Sequence, residues 1–163
     1  MSLRITAVDL ENAAISATWL DLLDHYARDP MGGGVGLSAY ARTHLVDELK
    51  RLPTFHGALA WRGEKAVGLI NCFAGFSTFA ARPLLNIHDI VVHADARRQG
   101  IGQALLQWAE RRARQLGCCK LTLEILSGNT RAMASYARAG YAPYVLDPDA
   151  GHALLMQKLL PEP

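Results

Sequence analysis

Apolar residues recur along this chain with two spacings, and the two spacings separate predicted helices from predicted strands. Apolar positions three or four residues apart predict amphipathic helices over residues 11–28, 38–52, 102–116 and 129–138. Alternating or continuous apolar runs, bounded by turn residues, predict strands over residues 3–8, 55–61, 66–76, 84–92, 120–126, 141–146 and 153–159.

Capping and turn residues support these boundaries. Ser38 is a predicted N-cap for the second helix, which stops before Pro53. Gly117 is predicted to close the third helix, and Gly140 is predicted to close the fourth. The run Gly32-Gly33-Gly34 after the first helix predicts a flexible loop.

Length and composition narrow the class of protein. At 163 residues the chain has about the length of one domain, so a single domain is expected over residues 1–163. Hydrophobic residues make up 50% of the chain, but no apolar run approaches the roughly 20 residues that span a bilayer. The N-terminus lacks the apolar core of a secretion signal. Because no apolar run is long enough to span a bilayer, no membrane partner is expected. Cys72, Cys118 and Cys119 form no disulfide framework, so we expect reduced thiols in the cytoplasm.

The net charge of +2 decides little, but basic residues are concentrated in one part of the chain. That excess favours a polyanionic ligand. A nucleic acid is not expected, because no binding motif or interleaved aromatic residues accompany the charge. The histidines His25, His44, His56, His93 and His152 show no metal-ligand spacing, so no metal is expected. The acidic residues between positions 97 and 138 are Glu110 and Glu124. The basic residues of the same stretch are Arg97, Arg98, Arg111, Arg112, Arg114, Lys120, Arg131 and Arg138.

The run Arg97-Arg98-Gln99-Gly100-Ile101-Gly102 joins the strand at residues 84–92 to the helix that begins near Gln103. A basic, glycine-containing turn at a helix start predicts an anion site, because the first N–H groups of a helix are unpaired and its dipole favours negative charge. Gly100 and Gly102 carry no Cβ, so a diphosphate can approach the main chain. A Gly-Lys-Ser/Thr tripeptide is absent, and Leu105 stands where a dinucleotide fingerprint needs Gly or Ala.

The remaining pattern, Arg-x-x-Gly-x-Gly between a strand and a helix, is similar to the acyl-CoA loop of the GNAT N-acetyltransferase superfamily. Two further segments match that family in the same order. Residues 86–92, Asn-Ile-His-Asp-Ile-Val-Val, resemble its central strand. Residues 129–141 match its Asn-x-x-Ala-x-x-x-Tyr-x-x-x-Gly-aromatic block. The resemblance is specific over roughly residues 65–145, a stretch set by the three motifs.

The resemblance implies an α/β (α+β) GNAT fold, with a central mixed and splayed sheet of about seven strands flanked by about four helices. It also implies acetyl-CoA as co-substrate, bound where two parallel strands splay apart. Main-chain groups of Ile90, Val91 and Val92 would meet the pantetheine arm. Asn129 would either cap its helix or contact the cofactor. The residues implied to hold the diphosphate are Arg97, Arg98, Gln99, Gly100, Ile101, Gly102 and Gln103.

Acetyl transfer to an amine needs a proton acceptor for the amine and a proton donor for the departing thiolate. Tyr136 stands at the family's tyrosine position and is the candidate acid and cofactor contact; packing against the core is its structural alternative. His88 replaces a glutamate found in some members, and an imidazole is a competent base near neutral pH. A regular strand would point His88 and Asp89 to opposite faces, so one of the two is expected to face the acceptor.

The acceptor is predicted to enter between the first two helices and the loop before the central strand. Gly33, Gly34, Phe79 and Asp89 are the candidate acceptor-site residues. No strong acidic cluster is evident there, which favours the primary amine of a small molecule over a polyamine. A protein lysine or N-terminus is the first alternative acceptor, and a non-catalytic acyl-CoA sensor is the alternative of another class. A second copy of the chain, in a homodimer, is a further partner that the sequence leaves open.

Overall fold

The computed structural model describes residues 2–151 and 153–160 of the chain. Within this part, five strands and four α-helices follow one another, and short 3₁₀ turns cover Pro30–Gly32, Ala94–Ala96 and Pro148–Ala150. In chain order the elements are β1 (Leu3–Ala7), α1 (Ala13–Ala27), α2 (Ala39–Lys50), β2 (Phe55–Arg62), β3 (Lys65–Ser77), β4 (Arg82–Val92), α3 (Ile101–Gln115), β5 (Leu121–Leu123) and α4 (Thr130–Arg138).

The strands form one mixed sheet in the order β1-β2-β3-β4-β5. The first four strands are antiparallel to their neighbours, whereas β4 and β5 are parallel. The β4–β5 ladder joins Leu85 to Leu121, Asn86 to Thr122 and Ile87 to Leu123, and pairs nothing beyond these residues. The two strands therefore separate after Ile87, and the second half of β4 has a sheet neighbour on one side only.

Two apolar clusters cover the two faces of the sheet. On one face Trp19 and Leu23 of α1 pack with Leu49 of α2 against Leu59 and Leu69. On the other face the buried side of α3 packs against β2, β3 and β4. Leu105, Ala109, Ala113 and Leu116, which recur at helical spacing, all lie in or against this second cluster. Helical spacing thus placed the apolar stripe of α3 correctly.

The helix boundaries agree with the local signals. The side chain of Ser38 accepts from the Ala41 N–H at 3.1 Å, which confirms it as the cap of α2. Gly117 and Gly140 follow α3 and α4 with positive φ angles of 69° and 87°, as expected of residues that close a helix. No helix of the described residues is long and apolar enough to cross a bilayer.

The strand β4 contains a bulge that its sequence did not predict. The β3–β4 register pairs Asn71 with Asp89 and Cys72 with Ile87, which leaves His88 as the extra residue. The His88 ring packs edge-on against Phe73 with centroids 5.5 Å apart, and the Asp89 carboxylate accepts a hydrogen bond from Asn71. Phe73 and Asn71 point to the same face of β3, so both side chains lie on the α1 side. The expectation that they point to opposite faces is wrong, because the strand is not regular there.

The predicted strands at residues 141–146 and 153–159 do not form in the described residues. β5 is also shorter than predicted, at three residues, and offers little edge for another strand. Leu154, Leu155 and Met156 are accordingly 74–87% exposed. Alternation alone does not make a strand when no partner supplies its hydrogen bonds. The mixed α/β fold class is confirmed, with five strands in place of about seven. His152 lies outside the described residues.

Candidate active site

The main cavity lies where β4 and β5 separate, and its volume is about 850 Å³. Its walls come from the end of β4, the start of α3, the cavity side of α4 and the loop after α1. This size is in the range of sites that bury a cofactor-sized ligand. The sheet topology therefore creates the cavity, because a fully paired β5 would close it.

The main chain of β4 presents unpaired groups to this opening. The His93 N–H donates to the Val67 carbonyl at 2.8 Å, so this residue pair is hydrogen-bonded across β3 and β4. Alternation along an antiparallel ladder then turns the peptide groups of Val91 toward β3 and those of Ile90 and Val92 toward the opening. The main chain of Ile90 and the N–H of Val92 are therefore available to a ligand, whereas the Val92 carbonyl accepts a hydrogen bond from Arg97.

The turn before α3 has the backbone geometry of an anion site. Arg98 and Gly100 both adopt positive φ, at 61° and 79°. Successive turn residues of this kind aim N–H groups into a concave surface. No described side chain caps the N-terminus of α3, whereas α1, α2 and α4 are capped by Asn12, Ser38 and Asn129. The first N–H groups of α3 thus remain available for a ligand.

Four arginines line the cavity, and they are Arg97, Arg98, Arg131 and Arg138. Arg97 is already engaged: its Nε donates to the Val92 carbonyl at 3.1 Å and its Nη2 to the Asp29 carboxylate at 3.0 Å. It therefore joins the turn before α3 to the loop after α1. The remaining three supply positive charge to the cavity.

Three further residues predicted to bind the cofactor also have structural partners. The Gln103 side chain donates to the Ser135 carbonyl at 2.8 Å, which ties α3 to α4 across the cavity floor. The Asn129 side chain accepts from the Ala132 N–H at 3.2 Å and caps α4, while the residue lines the cavity. The Gln99 side chain donates to the Asp95 carbonyl at 3.3 Å. Contacts from these residues to a ligand would therefore come mainly from their main chain.

Tyr136 stands on α4 with its ring against the α3-side core and lines the cavity. Burial, with a small addition from Tyr26, raises the pKa of Tyr136 to about 12. The phenol therefore keeps its proton throughout the neutral range. Tyr26 of α1 lines the opposite wall; burial first, and the carboxylates of Asp89 and Asp29 next, raise the pKa of its phenol.

The acceptor-side predictions are only partly brought together. Gly33 and Gly34 are exposed, and Phe79 is 100% exposed at the β3–β4 turn; none of them lines the cavity. His88 and Asp89 do not line the cavity either; they precede the lining residue Ile90 by two positions and one position. Sequence reasoning gave no site role to Tyr26, which its helical spacing marked as a core residue. Asp29 and Met31, within the loop after α1, also line the cavity.

The sequence profile of the Acetyltransferase (GNAT) family matches residues 19–141 of the chain. The chain belongs to this family. An aminoalkylphosphonate N-acetyltransferase from Salmonella typhimurium is 36% identical over 89 residues, which cover 55% of this chain and 58% of that protein. The chain thus spans a little over half the length of that relative.

Several solved structures carry the same fold. A transcriptional regulator from Bacillus halodurans C-125 superposes with a TM-score of 0.79 at 21% identity, covering 97% of this chain and all of that one. The acetyltransferase AAC(6')-Iy, in complex with the bisubstrate analogue CoA-S-monomethyl-acetylneamine, gives a TM-score of 0.77 at 14% identity, covering 98% of this chain and 100% of that one. At these identities the likeness concerns the fold alone.

The cavity of this GNAT chain has the features that a coenzyme A diphosphate requires. The uncapped α3 and the positive-φ turn at Arg98 and Gly100 supply N–H donors. Gly102 leaves the main chain open, because a Cβ there would have its nearest neighbour, Val92, at 4.0 Å. Hydrogen-bond donors, positive charge and free space therefore occur together at residues 97–103, where the family's motif lies.

Proposed function

We propose that this protein is an N-acetyltransferase that transfers the acetyl group of acetyl-CoA to the primary amine of a small molecule. The observation that carries the proposal is the splayed β4–β5 opening, which borders on both the anion-binding turn and Tyr136. Similarity to an aminoalkylphosphonate N-acetyltransferase supports a small amine as acceptor.

The turn at residues 97–103 is proposed to bind the diphosphate, mainly through its N–H groups. The main chain of Ile90 would bind a pantetheine amide by extending the pairing of β4 on its open edge. Bound acetyl-CoA supplies the thioester. The outward N–H of Val92 is a suitable donor to a carbonyl oxygen that gains negative charge.

Tyr136 is proposed to assist departure of the thiolate. Its pKa of about 12 exceeds that of an ordinary thiol, about 8.5, so complete proton transfer would be uphill by roughly 5 kcal/mol. Tyr136 therefore acts chiefly by donating a hydrogen bond to the sulfur as negative charge develops there.

The amine must lose a proton to react, and His88 is the proposed acceptor of that proton. A lysine-like amine has a pKa of about 10.4, so its deprotonation at pH 7 costs roughly 4.6 kcal/mol. His88 lies on the α1 side of the bulge and would act directly or through one water. Asp89, on the same side, is proposed to hold the ammonium form.

A thiol-release assay over a panel of amines tests the proposal. The panel would contain aminoalkylphosphonates, aminoglycosides, free lysine analogues and lysine-containing or N-terminal peptides. Release of free coenzyme A above the hydrolysis background in the presence of a small amine supports the proposal. Faster release with the peptides than with the small amines supports a protein acceptor. Acetyl-CoA binding by calorimetry without turnover of any acceptor would favour the sensor alternative.

A further inference from the structure

A chain of two hydrogen bonds runs from the core to the bulge in β4. The Trp19 Nε1 donates to Asn71 Oδ1 at 2.8 Å, and Asn71 Nδ2 donates to Asp89 Oδ2 at 3.0 Å. Trp19 is 0% exposed and Asn71 is 2% exposed, so the first bond lies out of water, whereas Asp89 at the end of the second is half-buried. A buried amide between an indole and a carboxylate is costly unless each contact is made, which fixes the geometry of all three groups.

The direction of this chain follows from the chemistry of its first member. An indole N–H can only donate, so it must face the oxygen of the Asn71 amide. The amide NH₂ group is thereby turned toward Asp89, whose Oδ2 has to accept. Both hydrogen bonds thus point toward the carboxylate, whose Oδ2 accepts the second of them.

The position of Asn71 links this chain to the bulge. Asn71 pairs with Asp89 immediately before the register shift that makes His88 the extra residue of β4. The bulge turns Asp89 to the α1 side, where Tyr26 forms the cavity wall. The Asp89 charge reaches that wall, since it contributes to the raised pKa of Tyr26.

We propose that Asn71 and Trp19 are positioning residues that hold the Asp89 carboxylate ready to bind the acceptor ammonium through Oδ1. This inference rests on the proposed function, because it concerns the acceptor of the same reaction. Asn71 occupies one oxygen of Asp89, which leaves the second oxygen for the incoming N–H donor. No bond is made or broken by these two residues.

The test compares Asn71→Leu and Trp19→Phe with the wild type. Leucine has nearly the shape of asparagine but cannot donate to Asp89, and phenylalanine removes the N–H that orients the amide. Each variant is expected to raise the amine KM about tenfold, the size of effect of one hydrogen bond to a charged group. The acetyl-CoA KM should change less than about twofold, since the turn at residues 97–103 contacts neither residue; the twofold limit allows for context-dependent scatter.

Trp61→Phe is the matched control. Trp61 belongs to the same apolar cluster, and its Nε1 donates to Thr6 Oγ1 at 2.9 Å, away from Asp89. This variant should leave both KM values near those of the wild type. If Asn71→Leu does not fold, the Trp19→Phe and Trp61→Phe pair decides the question.

The outcomes separate this inference from the function on which it rests. An unchanged amine KM in folded Trp19→Phe, or equal rises in the KM values for amine and acetyl-CoA, overturns the positioning role and leaves the acetyltransferase standing. A wild-type protein that acetylates no amine overturns both. A selective rise in amine KM that Trp61→Phe does not share supports the positioning role.

Discussion

At the scale of single residues, the site depends on side chains whose neighbours set their chemistry. Burial in the α4 wall keeps the Tyr136 phenol protonated, with a pKa of about 12. The bulge at His88 places an imidazole and a carboxylate on one face of β4. Arg97 was predicted to contact a phosphate, but its guanidinium donates hydrogen bonds to the Val92 carbonyl and the Asp29 carboxylate. Residue type was readable from the sequence, but the partners of each residue were not.

Replacement of Tyr136 by phenylalanine should lower kcat about 10- to 100-fold, because the departing sulfur loses its hydrogen-bond donor. The acetyl-CoA KM should stay within about threefold, a change that reflects lost packing only. Steady-state kinetics with the best amine of the panel measures both values. Tyr141→Phe, a neighbouring ring 6.1 Å away that does not line the cavity, is the control. An unaltered kcat in Tyr136→Phe would remove its proposed role.

The wild-type pH–rate profile gives a second check on Tyr136. A proton donor is competent below its pKa and lost above it, so a pKa of about 12 predicts no decline from this group up to about pH 10. A basic limb with a midpoint near pH 8 or 9 that vanishes in Tyr136→Phe would contradict the assignment.

Replacement of His88 by alanine should remove the acidic limb of the kcat/KM profile and lower kcat/KM about 100-fold at pH 7, the lower bound for a positioned base. The reason is that an imidazole accepts protons only when neutral. His44→Ala on the exposed side of α2 is the control and should keep the wild-type profile. An acidic limb unchanged in His88→Ala would assign the base elsewhere.

At the scale of elements, the site forms where secondary-structure elements begin or end. β4 continues beyond its last pair with β5, and α3 begins without a side-chain cap. The loop after α1 contacts the turn between these two elements through Asp29 and Arg97. The sequence predicted that α3 follows a glycine turn, and the structure adds the two positive φ angles that shape it. Gly32 contributes too: a Cβ there would lie 2.0 Å from the Tyr26 carbonyl oxygen, so only glycine fits the loop against α1.

Gly102→Ala should separate stability from cofactor binding. Gly102 lies in the first turn of α3, outside the positive-φ region, and its Cβ would meet nothing closer than 4.0 Å. Alanine should therefore stabilise the fold by up to about 1 kcal/mol. The added methyl group would occupy the approach path of the diphosphate, so the acetyl-CoA KM should rise about tenfold or more, as for lost anion contacts.

Thermal melting and acetyl-CoA titration measure the two effects of Gly102→Ala. Gly100→Ala provides the contrast, because its φ of 79° is strained for alanine and should cost about 1 kcal/mol of stability. A Gly102→Ala protein that binds acetyl-CoA as tightly as the wild type would show that the diphosphate binds elsewhere.

At the scale of the whole molecule, α1, the loop that follows it and α2 are joined by carboxylates. Asp24 accepts from the Leu37 N–H at 2.8 Å and pairs with Arg28 and Arg42, each at 3.0 Å. Asp29 accepts from the Met31 N–H at 2.9 Å and pairs with Arg97. These contacts fix the loop after α1 relative to α2 and to the turn before α3.

The same carboxylates predict how stability depends on pH. Hydrogen bonds, that from Leu37 first, lower the pKa of Asp24, and the bond from Met31, followed by Arg97, lowers that of Asp29. The unfolded chain therefore binds protons more readily at these positions than the folded chain does. Their contribution is present above the unfolded pKa of about 3.9 and lost as pH falls through and below it.

Urea unfolding at pH 7, 5 and 3 tests this dependence. The free energy of unfolding of the double variant Asp24→Asn and Asp29→Asn should fall less from pH 5 to pH 3 than that of the wild type. The exposed Asp47→Asn, whose Lys50 partner lies at 3.6 Å, is the control and should follow the wild type. If the free energy of unfolding falls equally from pH 5 to pH 3 in the double variant and the wild type, these contacts do not stabilise the fold.

The sequence by itself determined most elements, their order and the family motifs, because helical spacing, capping residues and glycine turns are local properties. It predicted the glycine turn before α3 and Tyr136 on α4, and both line the cavity. The splay between β4 and β5, the bulge at His88 and the failure of residues 141–146 and 153–159 to pair depend on strands distant in sequence. Only the tertiary structure decided them, since a strand's hydrogen bonds are completed by partners that its own residues do not specify.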